Sequence, residues 1–263
     1  MTDRERTDQE PRWDRDFVQE VMTRSELLEL LADRPRTARE LADQLEMARS
    51  TVHRAADALE AHGLVEKPAD RFESTGLGDV VADELRTFRT NLEAARRIEP
   101  FLNTIDDSAP ELPIEHFTDA TVTCSGHRQA HVGIKRITEL IEATDSLRMF
   151  SSIISPLYVD VARREILDGM EIEVIFDQQV IEIILEQHVE EAMEAFETGR
   201  FEVYVAENVP FELFLFDERV GLAAHDESGI ARAFVETTDA GARTWAESLY
   251  AEYAADTDAF RME

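Results

Sequence analysis

The stretch 37–67, TARELADQLEMARSTVHRAADALEAHGLVEK, limits the possible folds more than any other part of this chain. Thr37 and Glu40 have the spacing of a capping box: the threonine hydroxyl can take a free N–H of the first helical turn, and the glutamate can reach back. The helix that follows, 38–45, puts Leu41 and Leu45 on one face, with Ala42 small enough for a close crossing. Glu46, Met47 and Ala48 then make a short turn. A longer helix, 49–62, carries the apolar stripe Val52, Ala55, Ala56 and Leu59 and stops at Gly63, the residue best suited to a left-handed C-terminal position. Leu64 and Val65 read as a strand, Pro68–Asp70 as a tight tip, and Arg71–Ser74 as the returning strand.

Two helices joined by a turn, the second longer and followed by a hairpin, form a winged helix-turn-helix. Such a second helix can enter the major groove of DNA by its N-terminal turns. Here those turns present Arg49, Ser50, Thr51, His53 and Arg54. Arginine can grip guanine with two hydrogen bonds, and Ser or Thr can meet base edges or phosphates. Lys67 and Arg71 in the wing, with Arg36 and Arg39 at the start of the first helix, are candidates for phosphate contacts. Before this block, 13–22 reads as a short helix, and Thr23 to Glu26 has capping-box spacing for a next helix that Pro35 breaks.

The rest of the chain has another rhythm. Val80, Val81, Leu85, Phe88, Leu92, Ala95, Ile98 and Leu102 recur at helical spacing, predicting one long helix over 77–105. Its apolar positions exceed what a small winged domain needs to cover, which makes it the expected element of a homodimer. Pro110 and Pro113 mark a linker. From 121 onward strands and helices alternate, then four strands follow in quick succession (201–205, 212–216, 220–224, 231–235) before a last helix at 240–253. The predicted fold class is α/β multidomain with a mixed sheet. Its parts are a disordered 1–14, a winged helix at 15–75, a linker and dimerisation helix at 76–113, and an α/β domain at 114–263. Gly76 and Gly78 follow a wing, not a buried strand, so they read as a hinge and not as a phosphate loop.

Composition narrows the setting. The net charge is −30, with Lys only at 67 and 135 and all other basic residues Arg. High acidity with little lysine is the make-up of a protein held in molar salt, where ions screen its self-repulsion. It points to an extremely halophilic, archaeal source. Residues 1–75 hold 12 basic and 18 acidic residues, against 15 and 39 in the remainder, so the segment that would approach phosphate is the less acidic one. No run of about 18 apolar residues exists, the first residues carry no apolar signal core, and Cys124 is alone. A cytoplasmic protein without membrane, disulfide or cofactor is expected, with Cys124 a small buried residue. His127 and His131 have metal-holding spacing, but lack an evident third ligand beyond His116 or Cys124.

The 37–67 run resembles winged-helix regulators of the MarR, ArsR and TrmB kinds. With the C-terminal half, including Trp245 and Tyr250, the chain is similar to haloarchaeal predicted regulators that share a middle domain with a methanogenesis regulator. Glu46 stands where such motifs often have Gly, and Ala48 where a Ser or Thr cap is usual, which leaves the helix start open between Arg49 and Ser50. The resemblance implies an α/β domain distantly related to the phospholipase D fold. Those enzymes need His, then Lys two residues on and Asp seven on. Here Pro210 and Glu212 stand for the His and Lys, with only Asp217 in place. The domain is therefore expected to be catalytically dead and to bind a small-molecule effector. In open α/β sheets the crevice lies beyond the carboxyl ends of the strands. This makes Ser151, Ser152, Ser155, Asp177 and Gln178 the pocket candidates. The reading is a DNA-binding transcription regulator with double-stranded DNA as partner. The alternatives are a phospholipase D-like nuclease with a DNA-targeting head and a protein–protein adaptor.

Overall fold

The computed structural model describes residues 14–106, 109–125, 131–226, 229–255 and 257–260; of the segment 1–14 expected to be disordered, 1–13 lies outside them and Asp14 caps the first helix. By contacts the chain divides into two compact units, meeting at Thr90 and Asn91.

The first unit holds α1 (Arg15–Thr23), α2 (Ser25–Asp33), β1 (Arg36–Thr37), α3 (Ala38–Gln44), α4 (Arg49–Ala61), β2 (Val65–Glu66), β3 (Arg71–Ser74) and the start of α5 (Gly76–Arg97). The capping box forms as the sequence predicts: Glu40 N donates to Thr37 Oγ1, and Thr37 N donates to Glu40 Oε2 at 2.8 Å. The Thr37 bonds, the backbone N–H first, together with Arg71 and Arg34, hold the Glu40 carboxyl down to about 2. Thr23 does not cap α2. It is the last residue of α1, and its hydroxyl donates back to Gln19 O at 2.7 Å, so α2 starts without a side-chain cap. Glu46, in the turn between α3 and α4, takes the left-handed conformation (φ 52°) that glycine would supply more cheaply. α4 begins at Arg49, although Ala48 offers no cap. Leu41, Ala42, Val52, Ala55, Ala56 and Leu59 meet Leu27, Leu28, Leu64 and Phe72 in one core.

Sequence reading missed β1. It pairs with β3, and β3 with β2, so the wing is a three-stranded sheet. The glycines at 76 and 78 are not a hinge here; they open α5. Gly78 is needed for space: a Cβ would collide with the Leu64 carbonyl and the Ser74 hydroxyl. Gly78→Ala should lower the stability of this unit by about 2 kcal/mol or more, read as a lower denaturation midpoint at constant salt. Gly76→Ala, whose Cβ meets nothing, should not.

The stretch predicted as one helix over 77–105 is two. α5 ends at Arg97, and α6 (Glu99–Leu102) follows with Pro100 in its first turn. Ile98 and Phe101 are core residues of the second unit, so this end belongs to that unit and not to a linker.

The second unit is an eight-stranded mixed sheet among the described residues, flanked by helices. Its strands are β4 (Thr121–Cys124), β5 (Ser146–Ser151), β6 (Glu171–Asp177), β7 (Phe201–Ala206), β8 (Glu212–Leu215), β9 (Val220–His225), β10 (Ala231–Thr237) and β11 (Asp258–Ala259). The order is β11-β7-β6-β5-β8-β9-β10-β4, with β5, β6 and β7 parallel and the other pairings antiparallel. α7 (Val132–Ile141), α8 (Pro156–Asp168), α9 (Gln178–Gln187), α10 (Val189–Glu197) and α11 (Ala240–Ala255) complete it. The sheet has apolar residues on both faces. One core gathers Phe150, Leu213, Leu215, Leu222 and Val235 with α6 and α11, and the other gathers Met149, Val174, Phe214 and Phe234 with α7 and α8. Between β6 and β7 the helical stretch is broken at His188, which ends α9 and precedes α10 with non-helical φ −133°. Cys124 is exposed on the edge strand β4, against the expectation of a buried residue.

Candidate functional site

In the first unit the inward stripe of α4 fixes what faces out. With Val52, Ala55, Ala56 and Leu59 buried, Arg49, Ser50, His53 and Arg54 are exposed and Thr51 is half-buried. No acid lies in the first turn of α4; Asp57 and Glu60 come later. The helix thus offers its free N–H groups and two guanidinium groups to an anion. Arg54 lies back along its own helix, its Nε donating to Ser50 O at 3.3 Å.

The wing is tied to this helix through Phe72. The His53 ring stands edge-on to Phe72 at 5.6 Å, and Lys67 Nζ sits 4.8 Å above the same ring. His53 and Lys67, far apart in sequence, are thereby brought to one side. Arg71 is exposed but partly engaged, donating to Pro35 O at 3.2 Å with Glu40 Oε2 at 3.5 Å. Arg39 is exposed, with only a 3.9 Å approach to Asp43. Arg36 differs from the others. It is 5% exposed, in β1, and its guanidinium donates to Arg34 O at 3.3 Å. A buried guanidinium cannot reach phosphate, so Arg36 leaves the set of contact candidates. A residue predicted at a helix start instead fills a strand that sequence reading did not see.

In the second unit, the ends of β5 and β9 and the start of β8 meet at one end of the sheet and bring Ser151, His225 and Glu212 together. The Ser151 hydroxyl lies 2.5 Å from Glu212 Oε1 and 2.8 Å from Ile153 O, and Glu212 Oε2 lies 3.2 Å from His225 Nε2. Glu212 is fully buried, and among the described residues no Arg or Lys pairs with it. Glu236 shows the contrast: also buried, it is held by Arg136 at 2.7 Å and Arg219 at 3.2 Å. Burial without a cation pushes the Glu212 carboxyl up to about 8, and burial pushes the His225 imidazole down to about 4. Both groups are then neutral at pH 7. A proton on Glu212 also resolves a conflict, because the single Ser151 hydroxyl proton cannot serve both Glu212 Oε1 and Ile153 O.

Of the predicted pocket residues, Ser151 is thus committed to an internal cluster. Asp177 caps α9, accepting from Val180 N at 2.8 Å. Ser152 and Ser155 are half-buried, and Gln178 is exposed. Asp217 does not join Glu212. It lies past the other end of β8, where it accepts from Asp145 N and Ser146 Oγ, both at 2.7 Å. The spacing that placed Asp217 in a phosphodiesterase pattern therefore does not become a shared site.

Beside the cluster, between the β5–β6 face and α8, α9 and α10, lies a cavity of about 100 Å³. Met149 and Val174 line it from the sheet, Tyr158, Ile184 and Ala192 from the helices, and Ile153 from the loop after β5. Tyr158, 8% exposed, also neighbours Glu212, and its buried phenol oxygen has no hydrogen-bond partner among the described residues. Sequence reading missed Glu212 as a buried group, His225, Tyr158 and the cavity. The one available signal was an acid inside the apolar run 211–216. The His127–His131 pair lies partly outside the described residues. His116 instead pairs with Asp239 at 2.9 Å.

These features define a winged-helix unit followed by an α/β unit. Residues 12–97 match the HVO_A0261 N-terminal domain, and residues 131–256 match the methanogenesis regulatory protein FilR1, middle domain. Each match covers less than half of the chain, and together they span most of it. No curated protein matches it. Among solved structures, TrmBL2, described as an archaeal chromatin protein with a novel mode of DNA binding, is similar at 15% identity over 92% of this chain and 98% of that one, with TM-score 0.44. The phospholipase D family member Nuc from Salmonella typhimurium is similar at 12% identity over 54% and 99%, TM-score 0.43. Phosphatidylserine synthase from Haemophilus influenzae Rd KW20 follows at 14% over 74% and 48%, TM-score 0.41. Likenesses this distant leave function to the residues themselves.

Proposed function

We propose that this protein is a DNA-binding transcription regulator that acts as a homodimer in the cytoplasm, with operator affinity set by a small molecule bound in its α/β unit. The observation that carries the proposal is the outward face of α4. Arg49, Ser50, His53 and Arg54 are exposed together at the N-terminal turns of a helix braced by a wing. The match to a regulator's middle domain supports the same reading. The dimer is supported by α5, where Leu77, Val80, Phe88 and Leu92 are exposed along one helical face. A second copy of the same helix covers such a stripe, and a two-fold dimer matches the symmetry of paired half-sites. The phospholipase D-like alternative has little support, since Glu212 is a buried acid where a cation is required and Asp217 is remote from it.

The test is fluorescence anisotropy with duplexes from the region upstream of the protein's own gene, in molar potassium chloride. Saturable binding that prefers some duplexes over scrambled sequence is the expected result; none, for any duplex, refutes the regulator. With a net charge of −30 the protein is repelled by DNA at low salt, so affinity should change little or rise as salt increases. A steep fall between moderate and high salt contradicts this. Phe88→Glu should convert the dimer to a monomer by light scattering, with the fold intact by circular dichroism.

A further inference from the structure

Acids outnumber bases in this chain by 57 to 27, and only two of the bases are lysine. Lys135 is spent on a carboxylate, with Glu139 at 3.5 Å. Lys67 is not. It is exposed just past β2, and among the described residues no carboxylate lies within ion-pair distance of it; its Nζ stands 4.8 Å above the Phe72 ring instead. The same ring meets the His53 ring at 69°, with centres 5.6 Å apart. Both contacts are attractive, because an aromatic ring is negative on its faces and positive at its edge. Phe72 itself is 1% exposed, a core residue of the winged unit on the central strand of its sheet, so close packing holds the ring in place.

We propose that Phe72 is a positioning residue for DNA binding, its ring holding His53 of α4 and Lys67 of the wing toward one stretch of the sugar–phosphate backbone. Arg49 and Ser50 are at the leading end of α4, where a reading helix meets base edges. His53 is on the flank of that helix turned to the wing, where it touches Phe72. A side chain on that flank meets the strand that borders the groove and not the groove floor. Lysine suits that strand, since its ammonium is a compact point charge that binds phosphate without demanding a fixed geometry. A free lysine stem loses rotamer freedom on binding, and a stem already held over a ring loses less. The role rests on the DNA-binding reading and adds to it which part of the duplex the wing side contacts.

Fluorescence anisotropy of the full chain in molar potassium chloride tests the role, with a preferred duplex and a scrambled one. The variants are Phe72→Leu, His53→Ala with Lys67→Ala, and all three changes together. Phe72→Leu should weaken binding about two- to fivefold. The factor should be the same on both duplexes, since backbone contacts carry no sequence information. It should vanish once His53 and Lys67 are already replaced, because the ring acts through them. An equal further loss in the triple variant makes Phe72 purely structural and overturns the proposal, as does full affinity in folded Phe72→Leu. A loss confined to the preferred duplex overturns the backbone assignment. A second measurement needs no change at Phe72. Labelled lysine gives two side-chain NMR signals in the parent chain, and Lys67 should be shifted upfield by the ring beneath it and should move when either duplex binds, with Lys135 as the reference. A Lys67 signal at the position of a free lysine, or one unmoved by bound duplex, overturns the proposal. No binding of any duplex by the parent chain overturns the regulator reading and this role with it, whereas binding that is indifferent to Phe72 removes this role alone.

Discussion

Alanine at Arg49 or at Arg54 should lower affinity for operator DNA by about five- to a hundredfold each. That range corresponds to about 1–3 kcal/mol for one two-bond contact to a base. Both side chains are exposed, and among the described residues the hydrogen bonds of Arg54 run to its own helix, to Ser50 and Thr51. Loss of either should therefore change stability by no more than about 0.5 kcal/mol. Arg36 supplies the control. It is buried and holds the Arg34 carbonyl, so Arg36→Ala should destabilise the winged unit, and any loss of DNA binding should follow unfolding. Anisotropy titrations paired with denaturation curves distinguish the two behaviours. Unchanged DNA affinity in both Arg49→Ala and Arg54→Ala would sink the groove-reading role of α4.

Stability should be nearly level from about pH 4.5 to 6.5 and then fall by about 2 kcal/mol up to about pH 8. Glu212 has a folded-state value of about 8 against 4.5 unfolded. Its stabilising effect is complete below 4.5 and is lost as pH rises through 8, because unfolding then releases a proton. His225 runs the other way, at about 4 folded against 6.5 unfolded, so its effect is complete above 6.5 and is lost as pH falls through 4. Between 4.5 and 6.5 the two slopes oppose each other. Above 6.5 only Glu212 acts, over about 1.5 units at 1.36 kcal/mol each. Glu212→Gln keeps the shape and removes the titration, so it should flatten the fall between pH 6.5 and 8. Denaturant midpoints across that range measure it, and a fall that persists in Glu212→Gln would assign the effect elsewhere.

The winged unit was largely legible because its signals are local. The capping pair Thr37 and Glu40, the stripe on α4 and the stop at Gly63 each act within a turn or two, and each forms in the structure. The elements that escaped depend on distant partners. β1 exists only because Arg36 and Thr37 find Phe72 and Arg71 across a strand. The break at His188 lies inside a continuous helical pattern. Thr23 had cap spacing, yet its hydroxyl bonds to the helix that it ends.

By itself the sequence determined the alternation of elements, the outward face of α4 and the strongly acidic, lysine-poor composition, since periodicity, capping and charge are properties of neighbours along the chain. Only the tertiary structure decided that Arg36 is buried, that Asp217 lies apart from Glu212, and that Ser151, Glu212 and His225 share one end of a sheet. It alone also revealed the cavity beside Tyr158. Those facts depend on strand order and register, which bring together residues tens of positions apart, and on desolvation, which no single residue carries in its name.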